Sequence, residues 1–160
     1  MSPRRKSYAV AEAVMASYLD LDPIVLRFDD QPGRPPQVFD FGEFADFPHL
    51  YRHIAGAFNR HCDALRRITR TDQFRSIRHF FVFLREQRAA GAQVAEPSNM
   101  RTELLQGYAA WLQRRNLTIR TQATYYGGLV RVLTELRRSR PALFGHLIVP
   151  RRQFPGVGLE

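Results

Sequence analysis

The chain has 160 residues and 44% hydrophobic content, which is enough for one domain with a packed core and excludes global disorder. No apolar run approaches the roughly 18–20 residues of a membrane span, and the first twenty residues lack the apolar segment of a signal peptide. The single cysteine, Cys62, excludes an internal disulfide, so we expect a cytoplasmic protein that does not contact membranes.

The formal net charge is +9, and Lys6 is the only lysine among the 24 basic residues. Residues 1–50 hold five basic and eight acidic groups (net −3), residues 51–100 hold nine and four (net +5), and residues 101–160 hold ten and three (net +7). A GC-rich genome would explain the excess of arginine over lysine, but it would not explain this distribution. A basic body after an acidic first third predicts an anionic partner, with nucleic acid the first choice.

Residues 1–47 are predicted to form an N-terminal extension. Apolar residues at helical spacing predict a short helix over residues 7–19. Residues 24–28 and 38–41 have the composition of two short strands around a turn rich in Pro, Gly and Asp, which predicts a β-hairpin. The six Pro and Gly residues of this stretch would also fit an irregular arm, so both alternatives stay open.

Two amphipathic helices are expected next. Pro48 is favourable in the first turn of a connecting helix over residues 48–69. The second helix should begin at Thr71 or Asp72, which are good N-caps, and end at Gly91. The core positions predicted in the two helices are Leu50, Ile54, Phe58, Cys62, Leu65, Phe74, Ile77, Phe81 and Leu84. Three arginines, Arg75, Arg78 and Arg85, follow one edge of the second apolar stripe.

A third and a fourth helix complete the predicted bundle. Ser98 or Asn99 should cap the third helix, and Thr118 should cap the fourth, which ends at Arg140 before a short helix, PALFGHLI. The predicted core positions are Leu105, Tyr108, Ala109 and Leu112 in the third helix and Ile119, Ala123, Tyr126, Val130 and Leu133 in the fourth.

The fourth helix also has a polar face opposite its predicted core stripe. This face contains Arg120, Thr124, Gly127 and Arg131. Gly127 and Gly128 each cost roughly 1 kcal/mol relative to alanine in a helix interior. We assign Gly128 to a close crossing with a neighbouring helix, and for Gly127 either a helix or a DNA backbone could approach.

The sequence contains no recognisable catalytic or metal-binding motif. His49 and His53 have i, i+4 spacing but no third ligand, so a solvated helix face is expected rather than a metal site. The Gly-Gly pair lies inside a helix and is not a phosphate-binding loop. We therefore predict that this chain is not an enzyme, and we expect no cofactor, no metal and no catalytic residue.

The basic helices are instead predicted to bind DNA. Arginine, Thr, Gln and Tyr side chains on a helix can contact phosphates and reach base edges in the major groove. A helix N-terminus also offers free N–H groups to a phosphate. The predicted DNA-binding residues are Arg75, Arg78, Arg114, Arg115, Thr118, Arg120, Thr121, Gln122, Thr124, Tyr125 and Arg131. Thr118 as a simple cap, Tyr125 as a half-buried aromatic and the two helix-terminal arginines as dipole partners are the structural alternatives.

Residues 70–150 resemble the core-binding (SAM-like) N-terminal domain of tyrosine recombinases, the phage-integrase and Xer-like family. The resemblance is carried by a Thr-started helix with an aromatic run, TDQFRSIRHFFVFLREQ, and by a second helix, ELLQGYAAWLQRR. NLTIRTQATYYGGLVRVL follows, in which Thr121 matches the family's Thr early in the third helix, and RPALFGHLIVPRRQFP resembles the exit segment that leads to the catalytic domain.

This resemblance implies a mainly α fold, a four-helix SAM-like core-binding bundle with an N-terminal helical and hairpin extension. It implies a clamp over duplex DNA at a recombination site, with residues 151–160 as a linker towards a separate catalytic domain. The family's catalytic Arg, His-x-x-Arg and Tyr have no counterpart here, because HLYR at residues 49–52 precedes the clamp. Other recombinase subunits are expected as partners on DNA, and a monomer is expected in solution.

Two other functions fit the same composition. The basic helical face could bind RNA or an acidic protein, or the chain could be a transcription regulator that binds DNA without recombination. The role of residues 1–69 is expected to be an added arm for DNA or for a neighbouring subunit.

Overall fold

The computed structural model describes residues 24–150 and Phe154. The helix predicted over residues 7–19 lies outside these residues. The described part of the chain is mainly helical, as predicted, and has one small sheet at its start. None of the described helices has the length and apolar character needed to cross a bilayer.

The predicted β-hairpin is confirmed. Strands β1 (Val25–Phe28) and β2 (Gln37–Asp40) pair antiparallel, and Leu26 lies opposite Phe39 with both side chains buried. In the connecting turn Gly33 has a φ of 81°, a left-handed conformation that costs glycine little. The irregular arm, the alternative for this stretch, is therefore excluded.

Five α-helices and two short 3₁₀ turns follow in the described residues. The helices are α1 (Pro48–Cys62), α2 (Arg67–Ala89), α3 (Thr102–Arg114), α4 (Ile119–Ser139) and α5 (Pro141–Phe144), and the 3₁₀ turns are Phe41–Phe44 and Pro97–Asn99.

Two helix starts differ from the prediction. Thr71 lies inside α2, where its hydroxyl donates to the carbonyl of Arg67 at 3.1 Å, so neither Thr71 nor Asp72 is an N-cap. α3 begins three residues after Asn99, because the Pro97–Asn99 turn is closed separately by reciprocal bonds between Glu96 and Asn99. In both places a local hydrogen bond replaced the cap that the residue type predicts.

One aromatic core joins the hairpin to the helices. The Phe39 ring lies 5.1 Å from Phe58 of α1 and 5.0 Å from Phe74 of α2, centroid to centroid. Phe44 of the first 3₁₀ turn stacks on Phe81 of α2 at 4.3 Å. Residues 24–47 therefore share a core with the helices, and α2 runs through residues 69 and 70, where the sequence suggested a division.

The core face of α4 is rotated relative to the prediction. Tyr126 and Leu133 are buried, but Ile119 is 56% exposed, and Ala123 and Val130 are only half-buried. α4 packs against both α1 and α2, so its buried stripe also includes Leu129, Val132 and Leu136. The predicted core positions of α2 and α3 are all buried, as are those of α1 except Leu65, which follows the helix and is half-buried.

α2 and α4 run antiparallel and cross at Gly128. A Cβ on Gly128 would lie 2.8 Å from the Cβ of Ser76 on α2, closer than two carbon atoms can approach. A Cβ on Gly127 would meet no atom within 4 Å. The close helix crossing predicted for Gly128 is confirmed, whereas neither a helix nor any other described part of the chain approaches Gly127.

Arg70 connects the hairpin to the junction of α1 and α2. Its side chain is 2% exposed, and it donates to the carbonyls of Cys62 and Asp63 at 2.7 and 2.8 Å and to Asp30 Oδ1 at 2.5 Å. The guanidinium also lies over the Phe28 ring, 4.2 Å from its centroid. One arginine thus satisfies the carbonyls at the end of α1 and fixes the hairpin turn beside them.

Candidate nucleic-acid interface

The N-terminus of α4 is formed as predicted. Thr118 is the N-cap: its Oγ1 accepts a hydrogen bond from the Thr121 amide at 3.1 Å, and its hydroxyl donates to Thr121 Oγ1 at 2.9 Å. Thr118 and Arg120 are exposed and Thr121 is half-buried, so this helix end faces solvent. The two threonines orient each other, which leaves the Arg120 side chain as the group able to reach a ligand.

Gln122 is a correction to the predicted site. Its side chain is 6% exposed, and its Nε2 donates to the carbonyl of Leu117 at 2.9 Å. The amide therefore closes the α3–α4 loop from the inside. It cannot contact DNA without leaving that position, so we remove Gln122 from the candidate interface.

The outer face of α4 is exposed as predicted. Arg120, Thr124 and Arg131 face solvent, and Gly127 between them is half-buried. The Thr124 hydroxyl donates to the carbonyl of Arg120 at 2.9 Å, so its proton is already engaged within the helix. Arg120 has no ion pair with any other described residue.

Arg131 lies apart from the helix N-terminus. It is eleven residues beyond Arg120, which places it about 16 Å further along the axis. With the Gln73 amide oriented to satisfy both of its neighbours, Nε2 donates to the carbonyl of Gly128 at 2.8 Å and Oε1 accepts from Arg131 Nη1 at 3.3 Å. Arg131 therefore belongs to the α2–α4 crossing and not to the end of α4.

His79 of α2 meets Tyr125 of α4 in a stacked pair. The ring centroids are 4.1 Å apart and the ring planes differ by 24°. Burial lowers the pKa of His79, and the positive charges of Arg115, Arg75 and Arg78 lower it further. The imidazole is therefore held neutral beside three guanidinium groups that come from α2 and from the end of α3.

His79 was not among the predicted site residues. Its position in the sequence contained the signal, because it lies four residues after Arg75 and next to Arg78, on the same edge of α2. The contact with Tyr125 depends on the α2–α4 crossing, which periodicity alone does not provide.

Most of the arginine edge of α2 is neutralised inside the molecule. Arg78 donates to both carboxylate oxygens of Glu43, at 2.7 and 3.3 Å, which raises the pKa of Arg78. Arg85 and Arg88 both pair with Asp46, at 2.9 and 2.8 Å. Both carboxylates come from the segment between the hairpin and α1. Arg78 is thus held by an internal partner and contributes little charge to a ligand.

Arg75 is the one member of that edge with a weak internal partner. Its Nη1 lies 3.5 Å from Asp72 Oδ1, and about half of its side chain is exposed. Such a pair at the surface contributes less than about 1 kcal/mol. Arg75 is therefore able to exchange Asp72 for an external anion.

Two further arginines lie at the end of α3. The Arg115 guanidinium covers the Trp111 ring, 4.4 Å from its centroid, and Trp111 Nε1 donates to Glu86 at 2.6 Å. Arg114 is exposed and has no ion pair with another described residue. Trp111 thus positions one guanidinium, and the other extends into solvent.

These residues form one exposed basic area, which we call the Tyr125 surface. Its members come from α2, the end of α3 and the first turns of α4. They are Arg75, His79, Arg114, Arg115, Thr118, Arg120, Thr121, Thr124 and Tyr125.

The described residues offer little for catalysis at this surface or elsewhere. No group of three or more His, Cys, Asp or Glu side chains within residues 24–150 is placed to hold a metal ion. His49 is bonded to Glu96 at 2.6 Å, and the His53 ring lies against Phe144. Burial raises the pKa of the Cys62 thiol to about 12, so it is neutral and unreactive at physiological pH.

Comparison of the chain with protein-family models, with curated proteins and with solved structures finds no match.

Proposed function

We propose that this chain is the DNA-binding, core-binding domain of a site-specific tyrosine recombinase or integrase, and that it clamps duplex DNA at the recombination site. The proposal has two supports. The order and spacing of residues 70–150 resemble that domain, and the Tyr125 surface collects four arginines of which only Arg75 has an acidic partner among the described residues. The second is the observation that carries the proposal.

The Tyr125 surface has the chemistry of a phosphate-binding face. Arg114 and Arg120 extend into solvent from either side of the α3–α4 loop, so they can contact successive phosphates of one strand. Arg115 and Arg75 flank the His79–Tyr125 pair. Arginine is suited to this role because its planar fork makes bidentate bonds to phosphate oxygens.

A strand of DNA over this surface would also change His79. The imidazole is kept neutral by burial and by its arginine neighbours. A phosphate placed among those guanidiniums would offset their charge and raise the pKa of His79. DNA affinity should therefore increase as the pH falls from 7.5 to 6, and His79→Gln should abolish that increase.

The number of available arginines predicts the salt dependence. Each phosphate neutralised contributes about 0.9 to the slope of log affinity against log salt. Four contacts, from Arg75, Arg114, Arg115 and Arg120, give a slope of about −3.6. A clamp that used every arginine of the chain would give a much steeper slope.

The experiment is fluorescence anisotropy with a labelled duplex at several salt concentrations. The double variant Arg120→Ala with Thr121→Ala should weaken binding and make the slope shallower by about 1, with unchanged helical content. Arg27→Ala is the matched control, because Arg27 is exposed on β1, outside the Tyr125 surface. Equal affinities of the double variant and the control would move the contact elsewhere on the protein.

The rival function is an interaction module for an acidic protein or RNA. The internal pairing of Arg78, Arg85 and Arg88 favours it to a degree, because that pairing reduces the basic area available to a long duplex. Competition separates the two functions. A duplex should displace labelled duplex more effectively than single-stranded RNA of equal charge or an acidic peptide, and the reverse order would support the rival.

A further inference from the structure

A second basic site lies at the far end of α4. A cavity of about 680 Å³ opens between the first half of α1, the Pro97–Asn99 turn and the junction of α4 with α5. Arg140 at this junction is twenty residues from Arg120, or about 30 Å along the helix axis. The cavity is therefore separate from the Tyr125 surface.

Three cationic or titratable side chains converge on this cavity. Arg60 and His53 project from α1, and Arg140 projects from the α4–α5 junction. Arg60 is held in place, because its Nε lies 3.3 Å from Glu135 Oε1 and its Nη2 donates to Ser139 Oγ at 2.7 Å. Arg140 has no ion pair with any other described residue.

The charges in the cavity are poorly balanced. Burial lowers the pKa of His53, and the charges of Arg140 and Arg60 lower it further. Burial also lowers the pKa of Arg60, and repulsion from Arg140 and Arg138 acts in the same direction, against the stabilising effect of Glu135. Within the described residues these like charges lie close enough to repel one another, and an anion between them would remove that repulsion.

The cavity also has apolar walls. Pro97 lies on one side, and Leu143 of α5 on the other, with 43% of the Leu143 side chain exposed. Gly56 lines the cavity from α1 and, without a side chain, leaves space there. A volume of this size lies within the range of small-molecule sites, which combine apolar walls with a few fixed polar groups.

We propose that this cavity binds a small phosphate-bearing ligand. The phosphate lies between Arg60, Arg140 and His53, and the apolar part of the ligand lies against Leu143 and Pro97. A tetrahedral group with several charged oxygens fits donors that arrive from two directions, whereas one bidentate arginine would satisfy a carboxylate. The site is independent of DNA binding at the Tyr125 surface.

The test is isothermal titration of the full chain with ADP, pyrophosphate and adenosine at low salt. ADP should bind saturably, pyrophosphate more weakly, and adenosine not measurably. Arg140→Gln and His53→Gln should each weaken ADP binding about tenfold or more, which is the effect of losing one charged hydrogen bond. Arg27→Gln should leave it unchanged, and thermal melts should show that all variants fold.

Three results would overturn the proposal. They are the absence of saturable binding by either phosphate compound at millimolar concentration, equal binding of adenosine and ADP, and unchanged ADP affinity in both folded cavity variants.

A DNA arm distinguishes the source of the phosphate. If duplex DNA displaces ADP, and Arg140→Gln weakens duplex binding as much as Arg120→Ala does, then the cavity binds a phosphodiester of DNA and the small-ligand proposal is wrong. If Arg140→Gln leaves duplex affinity unchanged and lowers ADP affinity, the two sites are separate. Perturbation of the His53 ring resonances by ADP, with no effect on those of His79, supports the cavity as the location.

Discussion

The adjacent glycines of α4 provide a matched pair for testing the helix crossing. Gly127→Ala and Gly128→Ala make the same chemical change one residue apart, so both gain the same intrinsic helix propensity of roughly 1 kcal/mol. The environments differ. A methyl group on Gly127 meets no described atom within 4 Å, whereas a methyl group on Gly128 lies 2.8 Å from the Cβ of Ser76.

The magnitude follows from this contact. The Ser76 Cβ is fixed by the α2 backbone and cannot rotate away, so α2 and α4 would have to separate by about 0.6 Å for the two carbons to reach the 3.4 Å of ordinary contact. Overpacking of this kind typically costs about 1–3 kcal/mol. We expect Gly127→Ala to raise the free energy of unfolding by about 0.5–1 kcal/mol, and Gly128→Ala to lower it by about 1–2 kcal/mol.

Urea denaturation followed by circular dichroism measures both changes. Adding Ser76→Gly to Gly128→Ala should recover part of the lost stability, because it removes the Cβ that the new methyl group meets. A double-mutant cycle should therefore show a favourable coupling between the two sites. If Gly128→Ala were as stable as Gly127→Ala, the close approach of α2 and α4 described above would be refuted.

Three further outcomes are expected. Arg70→Met should lower the free energy of unfolding by about 3 kcal/mol in urea melts, because it leaves two carbonyls and the Asp30 carboxylate without their buried donor; an equally stable variant would contradict this. Stability should fall as the pH drops below 6.5, since His79 has a lowered pKa and the unfolded chain then binds more protons, and His79→Gln should reduce that slope. Cys62 should react with iodoacetamide at pH 8 only after denaturant is added, because burial raises the pKa of its thiol to about 12; rapid labelling of the folded protein would disprove its burial.

The helical architecture could be predicted from the sequence because it depends on local signals. Apolar spacing identified the helices, the residue type at Thr118 identified a cap, and the cost of Gly128 pointed to a crossing. The errors arose where a side chain had an unexpected local bond. Gln122 lies beside exposed residues in the sequence, but its amide reaches back to Leu117 and is buried.

The candidate site was only partly predictable, because pairing between distant segments decides which arginines are available. Arg78 pairs with Glu43, 35 residues earlier, and Arg88 with Asp46, 42 residues earlier. No periodicity within α2 reports these partners. The sequence therefore identified the basic helices correctly, but it did not distinguish neutralised arginines from available ones.

The pairing of Glu43 and Asp46 with α2 has a consequence for how the protein meets a partner. In the described residues, one flank of α2 is electrically quiet, and the opposite side, around Arg114 and Arg120, retains uncompensated charge. Such asymmetry gives the molecule a dipole moment, so the field of a nearby polyanion exerts a torque on it. Within a Debye length of about 10 Å at 0.1 M salt, the protein would be turned to the docking orientation before the first contact is made.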